Sequence, residues 1–164
     1  INEPHAKGIE LLRQGDAEGA ASQFHQAFRV APQLCDSLRL EGLDRLAEEE
    51  YEDALGHFDQ AVGLCPKYPD LHNLRGIALY ELERIEEAVD AFALSAKLAP
   101  GYLVSRLNLA FALAAAEEHR QAEEVLEQIL AENPSEPVAL AKLEELRSGK
   151  RPEKRRPVNR GGSR

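Results

Sequence analysis

The chain has 164 residues, 43% of them hydrophobic and 30% charged, with a formal net charge of −9 at pH 7 and neither Trp nor Met. No apolar run approaches the ~18 residues that a membrane-spanning helix needs, and no secretory leader is visible. The acidic balance disfavours nucleic acid as the main ligand, because phosphate binding relies on clustered Lys and Arg.

A single step of 34 residues organises the chain. Proline stands at Pro32, Pro66, Pro100 and Pro134, and alanine at Ala20, Ala54, Ala88 and Ala122. A large apolar residue stands at Phe24, Phe58, Phe92 and Leu126, and a small one at Gly8, Gly42, Gly76 and Ala110. Four series with one period describe a tandem array of supersecondary units, each too small to bury its apolar face alone.

The first unit, residues 1–34, predicts two helices, A and B, joined at Gln14-Gly15-Asp16. Glycine suits a left-handed C-cap there and Asp an N-cap. Pro32 is expected to end helix B, since it lacks an amide proton and biases the preceding residue away from helical angles. The chain opens at Ile1, already inside a helix A and without an initiator Met, which reads as a piece of something longer.

The second unit, 35–68, repeats the pattern and carries both cysteines, Cys35 and Cys65, at one end of its hairpin. Packed helix axes lie about 8–10 Å apart, while a disulfide wants Cα atoms within about 7 Å. Two free thiols are therefore expected over a bridge, and with them a reducing, cytoplasmic compartment.

The third unit, 69–102, shows the helical period most clearly. Leu71, Leu74, Ile77, Ala78 and Leu82 share one face, then Ile85, Ala88, Val89, Phe92 and Ala96, with a break near Glu83 and Arg84. The small residues at positions eight and twenty of a unit let its helices approach, and the aromatic at twenty-four fills the space between them. Truncating such a Phe to Ala should cost about 3–5 kcal/mol.

The fourth unit, 103–136, keeps the pattern more weakly. Residues 137–147 predict a lone capping helix with Ser135 as N-cap, Pro137 in its first turn, and a narrow stripe of Leu140, Leu143 and Leu146 beside polar Lys142, Glu144, Glu145 and Arg147. Residues 148–164 carry seven basic residues against one acid, leaving −15 on residues 1–147. This tail is expected to be disordered. It reads as a solvated tail, the alternative being a basic arm that touches nucleic acid, anionic lipid or an acidic partner.

Gly8, Ala20, Phe24, Ala27 and Pro32, repeated as Gly42, Ala54, Phe58, Ala61 and Pro66, resemble the tetratricopeptide repeat signature. The third unit departs from it at Ser95, and the fourth offers Ala110, Ala122, Leu126, Ile129 and Pro134. Pro4, Leu38, His72 and Arg106 stand where that family has Trp. The resemblance spans residues 1–147 and implies an all-α, right-handed superhelical solenoid of four helical hairpins plus the capping helix.

It also implies that A helices line a concave groove. Groove positions include His5, Arg39, Asn73 and Leu107 (fifth), Ala6, Leu40, Leu74 and Asn108 (sixth), Ile9, Leu43, Ile77 and Phe111 (ninth), and Leu12, Leu46, Tyr80 and Ala114 (twelfth). This strip either packs A helix on A helix or stays open as an apolar trough for a partner.

The open trough is the working expectation, with Arg39, Leu43, Asn73, Ile77, Tyr80, Asn108 and Phe111 as contacts. On that reading Ile77→Glu abolishes partner binding while helicity and melting stay near wild type. The partner is a protein or peptide, with no small-molecule substrate.

The family's carboxylate clamp is not matched. Its places in the first three units hold His5, Ile9, Leu40, Asp70 and Leu74, and a shifted frame recovers Asn108 and Lys142 alone. The Asn ladder of the sugar-transferase members is absent as well. A second surface, the acidic A–B turn edge at Glu48-Glu49-Glu50, Glu86-Glu87 and Glu117-Glu118, reads as a solvated face.

No catalytic constellation, phosphate loop, metal pair or cofactor motif is present in the sequence. The expected role is a non-catalytic interaction scaffold within a larger protein or assembly. The alternatives are the recognition arm of an enzyme or co-chaperone, and self-association through the uncovered first hairpin.

Overall fold

Among the described residues there are eight α-helices: α1 (Glu3–Arg13), α2 (Ala17–Ala47), α3 (Tyr51–Leu64), α4 (Pro69–Glu81), α5 (Ile85–Leu98), α6 (Leu103–Ala115), α7 (His119–Glu132) and α8 (Pro137–Ser148). They come from a computed structural model describing residues 3–149, the side chains of 28–31 excepted. The tail expected to be disordered lies, from residue 150, outside the described residues.

The periodic residues act as their spacing predicts. Ala20, Ala54, Ala88 and Ala122 are fully buried, as are Phe58, Phe92 and Leu126. A Cβ added at Gly8, Gly42 or Gly76 would lie 2.5–2.6 Å from the ring of Phe24, Phe58 or Phe92. Glycine is what lets each ring lie flat against the facing helix.

Each A–B turn closes identically. The amide of Glu50 donates to the Arg45 carbonyl and that of Glu49 to Leu46. The same bonds recur from Asp16 and Gly15, from Arg84 and Glu83, and from Glu118 and Glu117. This is the Schellman pattern, and it requires a left-handed residue at its centre. Gly15 (φ 83°), Glu49 (61°), Glu83 (60°) and Glu117 (63°) occupy that place. In the first turn Asp16 caps α2, its carboxylate accepting from the Gly19 amide at 2.9 Å.

Three sequence expectations are corrected. First, Pro32 does not end a helix, so the 34/35 unit boundary falls inside the 31-residue α2. At the other junctions proline opens a turn, with Tyr68, Tyr102 and Glu136 amides donating to Cys65, Ala99 and Asn133 carbonyls. A second breaker follows each of those prolines: Pro69, Gly101 and Pro137. After Pro32 come Gln33, Leu34 and Cys35, none of which stops a helix.

Second, Cys35 and Cys65 are joined in a disulfide, with Cα atoms 6.5 Å apart. The pair sits where α3 runs in to meet α2, closer than the mean axial separation of packed helices. The inference of a reducing compartment loses its ground, because structural disulfides belong to oxidising environments.

Third, α8 is capped by Glu136, whose carboxylate accepts from the Ala139 amide at 2.6 Å, and not by Ser135. Its buried side runs through Ala139, Lys142 and Leu143, while Leu140 is exposed.

Candidate protein-interaction surface

A helices touch A helices along the array, α2 on α4, α4 on α6 and α6 on α8. Among the described residues the later B helices do not touch one another, neither α3 with α5 nor α5 with α7. The A helices therefore converge on the inner face and the B helices spread on the outer one.

On this inner face the seven expected contact residues divide. Arg39, Leu43 and Tyr80 are half-buried. Asn73, Ile77, Asn108 and Phe111 are buried. The open trough is thus corrected at four positions: Asn73 and Asn108 meet each other, Lys142 lies over Phe111, and Ile77 is part of the core. Ile77 packs in a core with Leu74, Ala78 and Phe92, so Ile77→Glu should unfold the third unit and not merely blind it.

Polar groups stitch the floor. Asn108 Nδ2 donates to Asn73 Oδ1 at 3.0 Å. Lys142 Nζ lies 5.0 Å above the Phe111 ring and donates to Glu145 at 2.9 Å. Spacing alone could not show that Lys142 turns inward. The signal was there in register, since Lys142 follows Asn108 by one period at the sixth position of its unit.

The rim is charged and only half-buried. Arg39 Nε lies 3.7 Å from Asp36 and 3.9 Å from Asp70, joining α2 to the start of α4, while Leu43 and Tyr80 pack against the core further along these helices. Of the other candidate groove residues, Leu40 and Leu12 are exposed and Leu107 is buried.

A buried hydroxyl pair takes the place of the usual alanine. Ser95 Oγ lies 2.6 Å from Ser105 Oγ and donates to the Pro69 carbonyl at 2.6 Å, clipping α4, α5 and α6 together. On the outer side, Arg106 grips Glu132 through two bonds of 2.6 and 3.0 Å, which holds that carboxyl below its ordinary value.

At the turn edge, Arg45 bonds both Glu48 and Glu50, and Arg84 bonds Glu87 through two nitrogens, lowering its pKa. A shallow polar depression of about 530 Å³ lies beside Arg45, Glu50, Asp53 and His57, at this edge and not in the groove. Among the described residues no three His, Cys, Asp or Glu side chains gather to hold a metal.

Solved structures with this arrangement include the first TPR domain of Spaghetti (RPAP3) bound to an HSP90 peptide, at 20% identity and TM-score 0.68 over 71% of this chain and 93% of that one. The second TPR domain of human RPAP3, in complex with an HSP70 peptide, is 18% identical with TM-score 0.68 over 71% and 98%. MamA is 20% identical with TM-score 0.68 over 87% and 84%. No curated protein matches the sequence. Two family models, both described as tetratricopeptide repeat, match residues 39–102 and 79–146. With that pair of matches laid over four 34-residue units, the chain belongs to the tetratricopeptide repeat family.

Proposed function

We propose that the chain is a non-catalytic scaffold that holds a segment of a partner protein against its inner face. The observation that carries this is the rim of α2 and α4. There Leu43 and Tyr80 lie half-buried against one core, and the Arg39–Asp70 pair joins the same two helices about 15 Å away along α4, near its start, over a floor already packed shut. Such a surface suits a short segment with one or two apolar side chains. Burying one anchor contributes about 1.5–3 kcal/mol, so binding would be micromolar once association costs are met.

The chaperone peptides bound by the RPAP3 domains end in acidic residues. Here the two groups that match a carboxylate clamp are engaged elsewhere, Asn108 with Asn73 and Lys142 with Glu145. With −15 on residues 1–147, a neutral or basic segment is the better fit. The compartment we favour is one in which the Cys35–Cys65 bond persists.

The test is a capture experiment with the full chain, read by mass spectrometry. Tyr80→Glu and Leu43→Glu should each lose the same proteins, while Leu94→Glu on the outer face keeps them. Helical circular dichroism should stay unchanged in all three. Partners retained by both inner-face variants would remove the reading.

A further inference from the structure

Three junctions of the array share a seam in which helix B of one unit packs on helix A of the next: α3 on α4, α5 on α6, α7 on α8. The helix-A side of that seam is buried at nearly every position, Leu146 and Arg75 being half-buried. Position three holds Leu71, Ser105 and Ala139, position six Leu74, Asn108 and Lys142, and position ten Ala78 and Ala112. On α2 these positions are Ser37, Leu40 and Asp44, all exposed, with Leu40 at 55% against 5% for Leu74.

The matching side of the first hairpin is open too. Ala21 and His25 are exposed, whereas Leu55, one period after Ala21, is buried. The cause is α2 itself. A hairpin whose second helix continues into the next unit cannot fold back over that unit. Accordingly α1 packs on α2 alone among the described helices. One chain therefore carries both halves of a seam and closes neither.

The two halves are chemically matched. In the next seam Arg75 Nε donates to Asp59 Oδ1 at 2.6 Å, linking position seven of helix A to position twenty-five of the preceding helix B. One period earlier the same places hold Glu41 and His25, a carboxylate and an imidazole with their order exchanged; within its own chain Glu41 accepts from Ser37 at 3.0 Å and lies 3.5 Å from His57 Nδ1. The Asp59–Arg75 pair is centred at residue 67, so the His25–Glu41 pair is centred at about residue 33, beside Pro32. Both halves lie on α2. Two copies of α2 set antiparallel thus close two identical seams about one two-fold axis.

We propose that the chain forms a reciprocal dimer in which the first hairpin of each copy covers the second unit of the other, with α2 pairing against α2 around Pro32. Exchange of an identical element is a low-cost route to a two-fold dimer, since it reuses contacts the fold already makes. The proposal goes beyond the inner-face reading and does not depend on it. The seam lies on Ser37, Leu40, Glu41 and Asp44, while partner capture is read at Leu43 and Tyr80.

The test uses the full chain. His25→Cys and Glu41→Cys chains are co-expressed and treated with a short bismaleimide, the native cysteines being bonded to each other. A covalent species of twice the chain mass is expected from the mixture and from neither variant alone. Sedimentation should show Glu41→Lys weakening the dimer about tenfold and His25→Glu restoring it in the double variant. Circular dichroism checks that each variant is folded.

A chain carrying both cysteines that cross-links at monomer mass would show the hairpin closing on its own second unit, which overturns the proposal. A monomer at every concentration overturns it too, as does a double charge reversal that restores nothing.

Discussion

Glutamate is an odd choice for a left-handed position. Glu49, Glu83 and Glu117 all occupy one, at the place where the first unit has Gly15. An L-residue pays for that conformation in contact between Cβ and the following carbonyl, about 1–2 kcal/mol. Glycine avoids the contact but loses more chain entropy on folding. The balance favours glycine, so Glu117→Gly should raise stability by about 0.5–1 kcal/mol. Urea denaturation of the two proteins side by side would show it, as a higher midpoint at unchanged slope. The reverse change, Gly15→Glu, should lower it. Glu49 and Glu117 were visible in the sequence as part of an acidic edge, and Glu83 as a break between helices. Their backbone role was not, because a turn glycine replaced by Glu leaves no compositional mark.

At the scale of elements, the lesson lies in α2. Proline every 34 residues predicted four breaks, and three exist. A lone proline kinks a helix or costs it about 3 kcal/mol, yet it does not by itself supply a turn. Pro66, Pro100 and Pro134 succeed because Pro69, Gly101 and Pro137 follow them. The difference was legible in Gln33-Leu34-Cys35, and the strength of the repeat hid it. The disulfide was missed for a related reason, since mean helix spacing was used where the local approach is tighter. It closes a loop between residues 30 apart in sequence. Reducing it should therefore cost about 2–4 kcal/mol, seen as a lower melting temperature with reductant. A Cys35→Ser, Cys65→Ser variant should melt at that lower temperature with or without reductant.

Two arginine–glutamate pairs set the acid response, Arg106–Glu132 between α6 and α7 and Arg84–Glu87 within the first turn of α5. Glu132 is held below its ordinary pKa chiefly because its carboxylate accepts bonds from Arg106, and Glu87 because it accepts them from Arg84. A carboxyl whose folded pKa is depressed contributes stability that is present above its unfolded value, about 4.3. That contribution is lost as pH falls through the folded value. Melting temperature should thus drop below about pH 4.3, and Glu132→Gln should flatten that drop while lowering the melting temperature at neutral pH. An unchanged acid profile in Glu132→Gln would mean that Arg106 finds an equal partner elsewhere.

For the whole molecule, the fold could be read from the period, because the array repeats the residues that build its hairpins. The inner face could be read only in part. Position numbers located Arg39, Leu43 and Tyr80 at the rim, but whether Asn73, Ile77, Asn108 and Phe111 are open depends on how closely A helices converge, and a sequence period does not encode that distance. Stability in such an array is a sum of unit terms and nearest-neighbour terms. The centre, where α4 and α6 share neighbours on both sides, should be the most protected. The first hairpin has one neighbour helix and an open seam, so it should be the least. Native-state hydrogen exchange resolves this ordering directly. In dilute protein, amides of α1 and the first half of α2 should exchange fastest and those of α4 and α6 slowest. Raising the concentration should slow exchange in α1 and α2 and leave α4 to α6 unchanged, because pairing across α2 adds the missing neighbour to the first hairpin and to the second half of α2. Protection that rises evenly along the chain would instead place any association on a surface shared by all the units.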